Sequence, residues 1–226
     1  MEYQNIRRGK FIARPNRFIA LASLDGEEVV CHVKNTGRCK ELLVPGAEVL
    51  LQESDKAERK TKYDLISVYK GKNLINMDSQ APNKLFAEWV QAGGLFQNVS
   101  LLKGEVTHGD SRFDFYIEAD GRKAFVEVKG VTLEEDGVVR FPDAPTERGI
   151  KHLNGLIRCV QEGYDAYAVF VIQMSGVKHF EPNDKTHPAF GESLRRAKKT
   201  GVHVLAYECQ VSEGKVAIQN PVKVRL

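Results

Sequence analysis

Two apolar segments with an Asp-Gly between them constrain the fold of this chain more than any other feature. SRFDFYIEA (111–119) and AFVEVKGV (124–131) flank Asp120-Gly121, a dipeptide suited to a two-residue hairpin because both positions tolerate positive φ. A hairpin lays the two strands side by side. Side chains alternate in face along a strand, so Glu127 and Lys129 point the same way. On the first strand Arg112, Asp114 and Tyr116 are expected on one face, and Phe113, Phe115 and Ile117 on the other. Two carboxylates and an ammonium then meet in an otherwise apolar sheet. Such charges are tolerated when they are paired or hold a metal.

The chemistry open to these three groups is metal-assisted phosphodiester hydrolysis. Asp114 and Glu127 are hard oxygen ligands of the kind Mg²⁺ or Mn²⁺ accepts, with waters and a phosphate completing the shell. A bound metal lowers the pKa of its water and polarises a phosphoryl oxygen. Lys129 is suited to orient that water or offset negative charge on the phosphate. The order Asp…Glu-x-Lys resembles the PD-(D/E)xK phosphodiesterase superfamily. Two further Glu-x-Lys triplets, at Glu58 to Lys60 and Glu213 to Lys215, sit in polar stretches. A structural ion pair at a strand end is the other reading of the same residues. Glu88, on a predicted helix ahead of the sheet, is a candidate carboxylate to hold the metal's ligands in place or to bind a second metal. Arg148 and Lys151 open a later helix, where phosphate is favoured. Thr146 is the expected N-cap of that helix, and His152 is either a residue lining the cleft or, the more common case four residues from Arg148, partly exposed filler.

The chain divides into two blocks. Residues 1–80 read as about five short strands broken by Asp25-Gly26, Thr36-Gly37, Pro45-Gly46 and Gly71, a pattern that fits a small OB-like barrel. Residues 81–226 alternate helix and strand. A helix over NKLFAEWVQ, capped by Asn83, precedes strands at 99–107, 112–118 and 123–131. A loop carries FPDAPTERG, and helices are expected over 147–162 and roughly 188–200. DAYAVFVIQM (165–174) reads as a buried parallel strand, and 202–209 and 211–219 as further strands. The expected fold class is α/β (α+β): the barrel, then a restriction-endonuclease-like mixed sheet flanked by helices.

The net charge is too mild to establish a polyanion partner, but it is unevenly placed. The chain of 226 residues carries a net charge of +3, and the excess lies in residues 1–80. Arg7, Arg8, Lys10, Arg14 and Arg17 face only Glu2 in the first twenty, which suits phosphate contacts. Arg38, in the polar turn NTGR (35–38), is suited to a forked contact with phosphate. Arg38, Arg148, Lys151, Arg14 and Arg17 are therefore the candidate nucleic-acid ligands, with DNA the first expectation. Four widely spaced cysteines form no CxxC and fit free thiols in a reducing cytoplasm. No stretch approaches the roughly 20 apolar residues of a membrane span.

The segments NTGR (35–38), PN (82–83), SRFDF (111–115), VEVKGVTL (126–133), FPDAPTERGIKHL (141–153) and VLAY (204–207) carry a resemblance over nearly the whole chain. The chain resembles the sugar fermentation stimulation protein family. That resemblance implies an N-terminal OB-fold domain joined to a PD-(D/E)xK nuclease-like domain, with Asp114, Glu127 and Lys129 at the active-site positions. It also implies DNA binding with little sequence preference and a regulatory effect on sugar (maltose) metabolism. Cys39 and Gly130 depart from the residues common in that family without removing a charge. Two readings follow: a metal-dependent nuclease, or a non-catalytic DNA-binding regulator that keeps the nuclease fold.

Overall fold

The computed structural model describes residues 1–35, 37–55 and 58–226. Five strands close a barrel: β1 (Ile6–Asn16), β2 (Ile19–Leu24), β3 (Glu27–Val33), β4 (Glu48–Glu53) and β5 (Tyr63–Lys70). The ring runs β1-β2-β3-β5-β4 and back to β1, closed by the parallel pairing of β3 with β5. The segment 9–24, which reads as one strand-like run, is two strands joined by a turn at Arg17-Phe18. Register shifts within β1 let it coil around the barrel. A short β6 (Asn73–Asn76) folds back on β5 and ends the first unit.

One carboxylate is buried in the barrel wall. Asp64 is 3% exposed and holds Lys34 Nζ at 3.0 Å, Arg59 Nη1 at 3.0 Å and His32 Nδ1 at 3.2 Å. Burial alone would raise its pKa. The hydrogen bonds of Arg59 and Lys34 outweigh burial and hold it at about 2. A depressed carboxylate stabilises the fold above its unfolded pKa and loses that contribution as the pH falls through its folded value. The stabilisation, on the order of 2 kcal/mol, is therefore complete above about pH 5 and gone at about pH 1. Asp64→Asn should unfold at lower urea than wild type at pH 7, with the gap closing as the pH is lowered through that window. Equal stability at pH 7 would count against the ion cluster.

The second unit follows without a linker. Its elements are α1 (Ala81–Gln91), β7 (Val99–His108), β8 (Ser111–Ala119), β9 (Arg122–Val131), β10 (Glu134–Glu135), β11 (Val138–Phe141), α2 (Glu147–Gln161), β12 (Asp165–Ile172), β13 (His179–Pro182), α3 (Pro188–Thr200), β14 (His203–Ser212) and β15 (Lys215–Pro221). Six strands form one mixed sheet in the order β15-β14-β12-β9-β8-β7, with β9, β12 and β14 parallel. Asp120 and Gly121 take φ of 52° and 73° and turn β8 into β9, as the sequence predicts. α2 starts where Thr146 Oγ1 accepts from Gly149 N at 3.1 Å. α3 stops at Gly201, whose φ is 108°.

Three expectations are corrected. Asn83 does not cap α1. The helix begins two residues earlier, with Pro82 in the first turn, where its missing N–H is no loss, and the Asn83 amide is free for another contact. The FPDA segment is not wholly loop. β11 pairs with β10 and in parallel with β13 as a small separate sheet. Phe113 does not share a face with Phe115. Phe115 packs on Phe86 of α1, whereas Phe113 packs on Phe125 and His152 on the α2 side. The paired ladder between β8 and β9 stops at Phe115–Val126, so the alternation is broken at Asp114.

α1 covers one face of the sheet, with Leu85, Phe86 and Val90 against Phe115, Ile117, Val126 and Val128. α2 and α3 cover the other, and that apolar cluster continues into the barrel through Leu65, Val68, Ile75 and Met77. A buried polar knot crosses the same seam. Asn76 Nδ2 donates to Ile66 O and Tyr3 Oη, both at 3.1 Å. Gln173 Nε2 donates to Asn76 Oδ1 at 2.8 Å and to Asp78 O at 3.0 Å. Tyr3 Oη donates to Asp78 Oδ2 at 3.2 Å. All four cysteines are buried and free, and burial pushes each thiol up to about 12. Among the described residues no helix is long and apolar enough to cross a membrane.

Candidate active site

The site forms where β8 parts from β9. Asp114 Oδ2 accepts from Val128 N at 2.8 Å. This bond replaces the strand ladder that ends one residue earlier, and it fixes the carboxylate between the two strands. Asp114 Oδ1 accepts from Asn83 Nδ2 at 3.0 Å, so the residue expected to cap α1 instead holds a site carboxylate. Glu127 lies on β9, 3% exposed. Its Oε1 accepts from both Lys129 Nζ and His152 Nδ1. With Nδ1–H donated to Glu127, His152 Nε2 is left to face Arg148 Nε at 3.5 Å. Glu127 Oε2 is buried and has no hydrogen-bond partner.

The two carboxylates are driven in opposite directions. Burial raises the Asp114 pKa, and the neighbouring Glu127 charge raises it further. Burial would raise Glu127 too, but the His152 hydrogen bond and the Lys129 ammonium overcome it and hold its pKa below the usual value. Glu127 is thus the anchored anion, and Asp114 is the carboxylate whose charge costs most in the absence of a further cation. An orphaned acceptor oxygen beside a second, repelled carboxylate is a donor set that a hard divalent ion satisfies. No group of three or more His, Cys, Asp or Glu side chains able to hold a metal occurs among the described residues. The fit is to an open site with two protein carboxylates, not to a closed cage.

The other candidates are scattered. Glu88 is not at this site: its carboxylate pairs at 2.7 Å with the Met1 ammonium, which is itself bonded to Val216 O of β15. Asn83, five residues earlier on α1, faces Asp114 instead. Arg148 and Lys151 lie exposed in the first turns of α2, Arg148 beside His152. Arg14 is spent internally. Its guanidinium donates to four carbonyls, of Gly37, Arg38, Arg17 and Asn35, at 2.6–2.8 Å. It shapes the turn that presents Arg38, and Arg17 and Arg38 themselves are exposed. Thr36 of that turn lies outside the described residues.

Of the two readings of His152, the structure bears out the cleft and not the partly exposed filler: the ring is 5% exposed and bonded to Glu127. The available signal was its spacing: it falls one turn after Arg148 on the face that carries Gly149 and Leu153, both buried. Gly130 also proves constrained. A Cβ there would lie 2.6 Å from Gln173 Oε1 and 2.7 Å from Pro82 Cγ.

Comparison with known proteins agrees with this architecture. Residues 12–77 match the model of the SfsA N-terminal OB domain, and residues 80–215 that of the sugar fermentation stimulation protein RE domain. A sugar fermentation stimulation protein homolog of Clostridium beijerinckii is 58% identical over the full length of both chains. One of Desulfitobacterium hafniense is 60% identical over all of this chain and 99% of its own. The solved structure of Pyrococcus furiosus SfsA in complex with Ca²⁺ superposes with a TM-score of 0.91 at 28% identity, covering 100% of this chain and 98% of that one. Domain matches that together span the barrel and the sheet, and relatives aligned end to end, show that the chain belongs to the sugar fermentation stimulation protein family.

Proposed function

We propose that the chain is a metal-dependent phosphodiesterase acting on nucleic acid, DNA first, with Asp114 and Glu127 as metal ligands and Lys129 as the catalytic cation. The observation that carries this is the buried, unpartnered Oε2 of Glu127 beside the repelled carboxylate of Asp114. The Ca²⁺ bound by the Pyrococcus furiosus relative supports a divalent ion in this fold, and Mg²⁺ or Mn²⁺ is the proposed working metal.

Asp114 and Glu127 would hold the ion, which supplies an activated water and polarises the phosphoryl oxygen. The rest falls to the chain. Lys129 Nζ, fixed on Glu127 Oε1, places positive charge where negative charge grows on the phosphate. His152 keeps the Glu127 carboxylate in one orientation, and outer partners of this kind sustain ligand geometry. Arg148 and Lys151 offer exposed cations to the flanking phosphates.

Titrating Mg²⁺ or Mn²⁺ into wild type with end-labelled DNA tests the reading, with EDTA as control. Product that appears only with metal is the expected result. DNA retained without product at any metal concentration overturns it and leaves a protein that works by occupying DNA.

A further inference from the structure

The contact between barrel and second unit leaves a groove of about 520 Å³. Its barrel wall carries Arg17, Arg38 and Lys40, and its other wall is the 141–146 segment. A smaller groove of about 170 Å³ shares Gly37, Phe141 and Asp143 with it and ends at Gly130, the residue after Lys129. Together they make one channel from the rim of the barrel to the end of the strand that carries Glu127 and Lys129. Among the described residues Asp143 is the single acidic one lining it.

The charge along this channel is unspent. Elsewhere the exposed arginines are largely tied up: Arg7, Arg8, Arg112, Arg122, Arg158 and Arg195 each sit on a carboxylate. Arg17, Arg38 and Lys40 make no ion pair among the described residues. The backbone at two of them is braced meanwhile, since Arg14 binds the carbonyls of Arg17 and Arg38. Gly37 is pressed so close to Asp143 that a Cβ would stand 2.6 Å from its carboxylate. Free cations on a braced loop are an anion site built in advance.

Phe18 adds what a bare phosphate site lacks. It is 52% exposed at the β1–β2 turn, next to Arg17, whose guanidinium lies 5.9 Å from the ring centroid. An exposed ring beside a cationic groove is a stacking platform for an unpaired base. A duplex has no free base face along its length to give it.

We infer that this channel binds single-stranded nucleic acid, with Arg17, Arg38 and Lys40 on successive phosphates and a base stacked on Phe18, and leads the strand to the Glu127–Lys129 end of β9. The inference rests on the phosphodiesterase reading only for what happens at that end. Binding is independent of it.

The test is therefore made in EDTA, where nothing is cleaved. Fluorescence anisotropy would compare a labelled single strand of DNA, the same sequence as RNA, and the DNA duplex. Either single strand should bind at least about tenfold more tightly than the duplex. Replacing Arg17, Arg38 and Lys40 together by Ala should lower the slope of log K against log salt by about 2 for single strands, as loss of three phosphate contacts requires. Phe18→Ala should weaken binding about 5- to 100-fold, as loss of one stacked base does, with the slope unchanged, and Phe18→Trp should restore it. Duplex bound as tightly as single strands, or a wild-type slope in the triple variant, would overturn the inference. A protein that binds single strands in this way but gives no product with metal would fail as a phosphodiesterase and still keep this site.

Discussion

Glu127→Gln is expected to abolish metal-dependent cleavage, by at least about a thousandfold, in a protein that remains folded. Glutamine keeps an oxygen at Oε1, where Lys129 Nζ and His152 Nδ1 both donate. It places an NH₂ where the partnerless Oε2 now lies. The packing and the two inbound hydrogen bonds survive, while the charge and the one vacant acceptor both go. Glu127→Ala is a poorer test, because it strands the Lys129 and His152 donors in a buried site. Thermal unfolding supplies a readout besides product. A metal at a hundred times its Kd stabilises the fold by about 2.7 kcal/mol, which for a chain of this size is roughly 5–10 °C in Tm. Wild type should show that rise with Mn²⁺, and Glu127→Gln should show none. Equal cleavage by the two proteins would remove Glu127 from the chemistry.

That Asp114, Glu127 and Lys129 come together was legible in the sequence because their placement follows short-range rules. Asp120-Gly121 sets the register of β8 on β9, and period-2 alternation puts Glu127 and Lys129 on one face. Those rules are local, and they hold where the backbone is regular. They fail where tertiary contacts override them. Phe113 turns to the α2 side because the ladder stops at Phe115, an event that depends on the Asp114 side chain taking Val128 N. Asn83 looks like a cap, but Pro82 starts α1 earlier and frees it for Asp114. His152 is joined to Glu127 across 25 residues, and the 3.6-residue period alone does not say what lies opposite a helix face. β10, β11 and β13 are two to four residues long, too short for any periodicity. Glu88 looked available because the partner that takes it, the Met1 ammonium, is brought there by β15 at the far end of the chain. Arg14 illustrates the same limit: a basic residue in a basic segment reads as a phosphate ligand until the four carbonyls it braces are seen together.

Asn76→Asp is expected to be the most destabilising single-atom change at the seam between the two units, worse than Asn76→Ala. Asn76 is fully buried and uses both ends of its amide. Its NH₂ serves Ile66 O and Tyr3 Oη, and its oxygen receives Gln173 Nε2. Alanine removes these bonds at a cost of about 3 kcal/mol. The loss is tempered because Ile66 O still accepts from Met77 N and Gln173 Nε2 still reaches Asp78 O. Aspartate keeps the acceptor toward Gln173 but turns the donor into a second acceptor facing the Ile66 carbonyl. It also adds a buried negative charge to a knot that already holds Asp78. Unpaired charge in such a place costs more than a missing hydrogen bond, so a loss beyond about 4 kcal/mol is expected at neutral pH. The sign with pH separates the two variants. A buried aspartyl group has its folded pKa raised, so the neutral acid is the better tolerated form. Asn76→Asp should therefore recover stability relative to Asn76→Ala as the pH falls toward 5, a shift that urea unfolding at pH 7.5 and pH 5 would read. Since Gln173 lies against Gly130, the residue after Lys129, loosening this knot should also weaken single-strand binding in the adjoining channel. If Asn76→Asp proves as stable as wild type at neutral pH, the amide is not the polar joint between barrel and sheet.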